Sequence, residues 1–122
     1  MSQINENINS NNFVVVDARS LKRFNGEIDE PREGLRRGSI KNSLCLPYGE
    51  CINQSTNELK TKAELKLIFE KIIKTKNNNK FVFTCGSGVT ASVLAYAYKM
   101  VNNDYQPIIY DGSWSEYGKY SP

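Results

Sequence analysis

Four short, continuously apolar segments constrain the fold of this chain more than any other feature. They are FVVV at 13–16, SLCL at 43–46, FVF at 81–83 and PIIY at 107–110. Such runs lack the alternation of apolar and polar residues found in half-exposed strands, and they are typical of strands buried on both faces of a parallel sheet. The chain is therefore predicted to place four strands in a central sheet.

Helical patterns separate these strands. Thr61 and Glu64 match the capping-box spacing, and apolar residues recur behind them at helical intervals, so a helix is predicted over 62–75. A second, largely apolar helix is predicted over 91–101. The alternation predicts an α/β fold with a central parallel sheet of four to five strands, right-handed crossovers and helices on both faces. The 122 residues are expected to form a single domain, 1–122, without an internal repeat.

The segment TCGSGVT at 84–90 joins the third strand to the second predicted helix. Gly86 and Gly88 permit a turn in which successive backbone N–H groups point towards one centre and bind an anion, and the positive end of the helix dipole adds to this field. A thiol at that centre is shifted towards the nucleophilic thiolate without help from histidine, which the chain lacks altogether. Cys85 is therefore the predicted nucleophile, and the alternative is an inert cysteine buried beside a tight turn.

The arginines form a second cluster. All five lie between positions 19 and 37, whereas lysine serves the rest of the chain. They fall in or next to 24–42, a segment with glycine and proline but no hydrophobic period, which follows the first strand and so reaches the same sheet edge as Cys85. Arginine binds carboxylates through a planar fork that lysine cannot reproduce, although most of the five are expected to be solvated. Of the other thiols, Cys45 is expected to be inert within a strand and Cys51 to be exposed.

Composition excludes several classes of function. The net charge is +3 and the 16 basic residues are spread along the chain, so neither a nucleic-acid nor a membrane surface is predicted. No apolar run reaches the length of a membrane span, and residues 1–12 lack the apolar core of a secretory signal. We expect a cytoplasmic protein with reduced thiols, a mitochondrial location being left open. No metal or organic cofactor is expected.

The motifs are similar to those of a known family. CGSGVTA at 85–91 resembles the active-site loop of rhodanese-family sulfurtransferases, in the form typical of 3-mercaptopyruvate sulfurtransferases. The stretches VVDARSLKRFNG, EPREGLRRGSI and YDGSWSEYG resemble further family segments in the same order. The resemblance implies a rhodanese-like domain. It also implies transfer of sulfane sulfur from 3-mercaptopyruvate, or less well from thiosulfate, to thioredoxin, a small thiol or cyanide.

The same resemblance assigns roles to residues. Cys85 corresponds to the cysteine that becomes a persulfide, and Arg23 and Arg32 correspond to the arginines that hold the substrate carboxylate. The Ser87 hydroxyl is implied to reach the substrate sulfur. The backbone N–H ring is implied to come from Gly86, Ser87, Gly88, Val89 and Thr90.

Two departures and two alternatives accompany the resemblance. Ser39 stands where the family has histidine, and the chain resembles only the second, catalytic domain of proteins that usually have two. A partner N-terminal rhodanese domain, which supplies part of a proposed relay through Ser87, is thus implied as well. A related phosphatase is rejected because Ala91 occupies the position of its phosphate-binding arginine. The remaining alternative is a non-catalytic binding or sulfur-carrier module that needs a companion domain.

Overall fold

The computed structural model of the chain describes residues 2–10, 12–76, 80–86, 90–110 and 112–119. Its helices are α1 Ser2–Ser10, α2 Leu21–Phe24, α3 Lys62–Lys76, α4 Ala91–Val101 and α5 Ser113–Tyr117, with a 3-10 turn at Tyr48–Cys51. Its strands are β1 Val14–Asp17, β2 Leu44–Cys45, β3 Ile52–Asn53, β4 Glu58–Leu59 and β5 Phe81–Thr84. The predicted helices at 62–75 and 91–101 are confirmed.

The central sheet is parallel, with β1 between β2 and β5. Val14 to Asp17 pair in register with Phe81 to Thr84, and Asp17 pairs with Cys45 on the other side. The predicted strand at 107–110 contributes only a parallel bridge between Ile109 and Phe83. The α/β class is therefore confirmed, with three strands in the central sheet among the described residues, and a count of four to five strands in that sheet stays a prediction.

The sheet separates two apolar clusters because successive strand residues point to opposite faces. Val16 and Phe83 belong to the cluster that contains Leu65 and Phe69 of α3 and Leu94 of α4. On the other face, Val15 and Val82 pack with Ile4 of α1 and with Trp114 and Tyr117 of α5. Helices thus cover both faces, as predicted.

The start of α3 follows the predicted capping box. The Glu64 N–H donates to Thr61 Oγ1 at 3.3 Å, and the Thr61 N–H donates to Glu64 Oε1 at 3.3 Å. These two bonds satisfy donors that a helix N-terminus otherwise leaves without partners. They explain why the helix begins at Lys62.

Parallel pairing brings the chain segments after β1 and β5 to one edge of the sheet. The Ala18 N–H donates to the Thr84 carbonyl at 2.8 Å, so the first turn after β1 lies against the start of the Cys85 loop. The arginine-bearing segment and the predicted nucleophile therefore meet at this edge. Within the described ranges, every helix is too short or too polar to cross a membrane.

Candidate active site

Cys85 lies directly after β5, where its side chain lines a cavity of about 200 Å³. The residue is only 1% exposed. The cavity brings together five of the predicted site residues, while Ser87, Gly88 and Val89 lie outside the described residues. The lining residues are Arg23, Glu30, Pro31, Arg32, Leu35, Cys85, Gly86 and Thr90.

The segment around Ser113 holds the beginning of the cysteine loop. Ser113 Oγ accepts a hydrogen bond from the Cys85 N–H at 3.2 Å and donates one to the Tyr110 carbonyl at 2.8 Å. The N–H groups of Trp114 and Ser115 donate to the carbonyls of Cys85 and Gly86, each at 2.9 Å. Ser113 adopts a φ of 50°, an uncommon conformation for a residue with a side chain. In the sequence, this segment was noted for its resemblance to a segment of the known family. In the structure, it fixes the Cys85 backbone.

Arg23 lies above this backbone. It sits in α2, whose first turn is capped by the Ser20 hydroxyl. Its guanidinium donates to Glu30 Oε1 from Nη2 at 2.7 Å and from Nε at 3.2 Å. A Cβ added at Gly86 would lie 2.8 Å from Arg23 Nη2, closer than real contacts allow. The arginine packs directly against the Gly86 backbone, so any larger residue at position 86 would displace the guanidinium.

Glu30 links Arg23 to a buried ion network. Its side chain is fully buried, and it also accepts a hydrogen bond from Arg19 Nη1 at 3.2 Å. Arg19 pairs with Asp17 at 2.7 Å and stacks over the Trp114 ring at 4.6 Å from its centroid. Buried charges are tolerated when they are paired and hydrogen-bonded in this way. The expectation that most arginines are solvated is wrong for Arg19, and Glu30 was missed because its partners are distant in sequence.

A protein-family comparison gives the site its context. The family model described as a rhodanese-like domain matches residues 1–120. The chain belongs to this family.

Its relatives include longer enzymes. This rhodanese-like domain is 42% identical over 109 residues to 3-mercaptopyruvate sulfurtransferase of Escherichia coli K12, and 38% identical over 114 residues to the protein of that name from Homo sapiens. The matches cover 88% and 93% of this chain but only 37% of each relative. The chain thus spans just over a third of the length of these curated relatives.

A solved structure shares the fold at lower identity. It is the 3-mercaptopyruvate sulfurtransferase from Leishmania major, which superimposes with a TM-score of 0.68 at 30% identity. The superposition covers 87% of this domain and 29% of that chain. The rhodanese-like fold predicted from the sequence is confirmed.

Arg32 contrasts with Arg23 in this rhodanese-like domain. It lines the same cavity, yet its side chain is exposed and it forms no ion pair with any residue that the structure describes. The cavity therefore has one arginine fixed by a carboxylate and one that pairs with no described carboxylate.

The other two thiols are placed for structural roles. Cys51 is completely buried in the apolar cluster beside α3 and α4, so the expected exposure of this residue is wrong. Burial raises the pKa of Cys51 to about 11. Burial and then the charge of Asp17 raise the pKa of Cys45 to about 12, and its thiol donates to the Arg19 carbonyl at 3.4 Å. Both cysteines are therefore neutral thiols at physiological pH, as expected for Cys45.

Metal ligands are not grouped in the described parts of the chain. No set of three or more histidine, cysteine, aspartate and glutamate side chains there is arranged to hold an ion.

Proposed function

We propose that this rhodanese-like domain is a sulfurtransferase that moves sulfane sulfur from 3-mercaptopyruvate through a persulfide on Cys85. The observation that carries this proposal is the shared cavity, which places a thiol at the end of a buried strand beside Arg23 and Arg32. The names of the Escherichia coli and human relatives support it, although this chain spans 37% of each.

In the first step, the Cys85 thiolate attacks the sulfur of 3-mercaptopyruvate. A sulfur–sulfur bond forms and the carbon–sulfur bond breaks, so the electron pair leaves on carbon as the enolate of pyruvate, which takes a proton from water. Arg32 and the remaining guanidinium donors of Arg23 bind the donor carboxylate. The backbone N–H groups between Gly86 and Thr90 are proposed to stabilise the negative sulfur, with the Ser87 hydroxyl reaching the donor sulfur.

In the second step, an acceptor thiolate or cyanide attacks the outer sulfur of the persulfide. The sulfur–sulfur bond breaks, and its electron pair returns to Cys85 as the thiolate that began the cycle. Thioredoxin or a small thiol is proposed as the acceptor. No residue other than Cys85 changes its covalent state, so the cycle needs neither a metal nor an organic cofactor.

Thiosulfate is proposed as a poorer donor. It is a small dianion, and a loop specialised for it would place cations next to the cysteine, whereas positions 86 and 87 carry glycine and serine. The carboxylate of 3-mercaptopyruvate lies some distance from its sulfur, which suits arginines at the rim of the cavity.

Two proposals concern the setting of the domain. By its resemblance it corresponds to the catalytic second domain of a two-domain enzyme, so an N-terminal rhodanese domain is proposed as a partner. We also propose a cytoplasmic location, with a mitochondrial one as the alternative.

The decisive experiment is intact-mass and peptide analysis after incubation with 3-mercaptopyruvate. We expect an adduct of one sulfur atom on Cys85, its removal by a thiol acceptor, and stoichiometric release of pyruvate. The Cys85→Ser variant should form no adduct and release no pyruvate, while Cys51→Ser serves as the matched control. A folded wild-type domain that takes up no sulfur would favour the binding-module alternative.

A further inference from the structure

The charged groups of the cavity are unequal in number. Arg23 and Arg32 contribute two positive charges, and Glu30 contributes one negative charge. Deeper in the protein, Arg19 is balanced by Asp17, with which it pairs at 2.7 Å. Glu30 therefore lowers the net charge of the site that faces a donor by one, whether Cys85 is counted as a thiol or as a thiolate.

Glu30 is built rigidly into this position. Its side chain is fully buried and accepts from Arg19 on one side and Arg23 on the other, so it cannot turn away from the cavity. It lies two residues before Arg32, and the intervening Pro31 restricts the backbone between them. The carboxylate thus acts as a fixed negative charge behind the arginines that meet the donor.

We propose that Glu30 determines donor specificity by lowering the net charge of the site by one, which favours singly charged donors over doubly charged ones. The proposal rests on the sulfur-transfer function proposed above. The cost of desolvating an anion grows with the square of its charge, whereas its attraction to the site grows only in proportion. When Glu30 offsets one positive charge, the attraction lost by a dianion is therefore twice that lost by a monoanion. 3-Mercaptopyruvate with a neutral thiol is a monoanion, and thiosulfate is a dianion.

The expected size of the effect follows from one additional charge interaction. For unit charges on the order of 6 Å apart in a partly solvated site, with an effective dielectric constant of roughly 40, the discrimination is about tenfold. Glu30→Gln removes the charge and keeps one oxygen that can accept from Arg19 Nη1 and Arg23 Nε, while the hydrogen bond from Arg23 Nη2 is lost.

The test compares thiosulfate with 3-mercaptopyruvate as donors for the wild type and for Glu30→Gln. We expect the ratio of their kcat/KM values to rise about tenfold in the variant, through a gain in thiosulfate kcat/KM itself. If the variant only loosened the Arg23 side chain, turnover would fall and kcat/KM for thiosulfate would not rise. Asp29→Asn is the matched control, because Asp29 is 84% exposed and pairs with Arg37 away from the cavity. A folded Glu30→Gln variant with an unchanged or lower ratio would overturn the proposal.

A second measurement uses the wild type alone and does not depend on turnover. Pyruvate, a monoanion, should protect Cys85 from iodoacetamide at lower concentration than sulfate, a dianion. Stronger protection by sulfate would overturn the proposal even if Glu30→Gln fails to fold. If the wild type shows the expected protection but takes no sulfur from 3-mercaptopyruvate, the charge selection stands and the proposed reaction fails.

Discussion

Replacing Gly86 with alanine should show how much activity depends on the position of Arg23, because the change displaces this arginine and leaves Cys85 in place. The new Cβ would lie 2.8 Å from Arg23 Nη2, and an ordinary contact requires at least 3.4 Å. The guanidinium must therefore retreat, yet its Nη2 is held 2.7 Å from Glu30 Oε1. The retreat therefore lengthens or misaligns this hydrogen bond.

The expected loss of stability follows from the hydrogen bond between Arg23 and Glu30. A hydrogen bond to a charged group contributes about 1.5–3 kcal/mol, and since the Arg23 side chain is 25% exposed we take about 1–2 kcal/mol as the loss in stability. The effect on catalysis should be larger, because a displacement on the order of 1 Å in a positioning group costs about 100-fold in rate. We expect kcat/KM for 3-mercaptopyruvate to fall by about 30- to 100-fold.

The assay is pyruvate release, with thermal unfolding measured on the same samples. Gly49→Ala is the matched control, since a Cβ there meets its nearest atom, Gln54 Nε2, at 3.5 Å. In an Arg23→Ala background, Gly86→Ala should cost almost nothing, because the clash has been removed. Wild-type kcat/KM in Gly86→Ala, or an equal loss in both backgrounds, would refute the reasoning.

Three further predictions address the thiols, the exposed arginine and the loop anchor. Iodoacetamide at pH 8 should modify Cys85 before Cys51 and Cys45, because pKa values of about 11 and about 12 keep these two thiols protonated. Peptide mapping gives the order of modification, and earlier labelling of Cys51 would contradict the prediction. Arg32→Ala should lower kcat/KM for 3-mercaptopyruvate by about 30- to 100-fold with little change in Tm, because the side chain is exposed and has no ion pair among the described residues. Unaltered kinetics would place the carboxylate site elsewhere. Ser113→Ala removes the acceptor of the Cys85 N–H, so urea unfolding should show a loss of about 1–3 kcal/mol and sulfur uptake should slow; an unchanged variant would show that the anchor is dispensable.

The elements that could be predicted from the sequence are those whose signal is local. The runs before Asp17 and Cys85 form strands because both faces of each are buried, and α3 begins where its capping box lies. By contrast, α1 is mostly polar and depends on Ile4 packing against the far face of the sheet. Short helices obtain most of their stability from such tertiary contacts, which leave little trace in the sequence. The segment at 107–110 is apolar enough for a strand but makes only one bridge.

The same distinction applies to the site. Cys85, Arg23 and Arg32 were predicted to share an edge because parallel topology brings the ends of β1 and β5 together. Glu30 and Ser113 were missed because each acts through partners that only folding brings near. The burial of Arg19 could not be inferred from its charge, since charge alone indicates exposure unless the compensating carboxylates are known.

The anchoring of Cys85 by Ser113 also sets an order of events during synthesis. Ser113 follows Cys85 by 28 residues, so the cysteine leaves the ribosome well before the hydroxyl that fixes its backbone. At typical elongation rates the delay is roughly 1–6 s. During that interval the nascent chain carries Cys85 without its anchor. The Cys85 backbone therefore reaches its finished setting only after translation has passed Ser115, when most of the domain around it can fold.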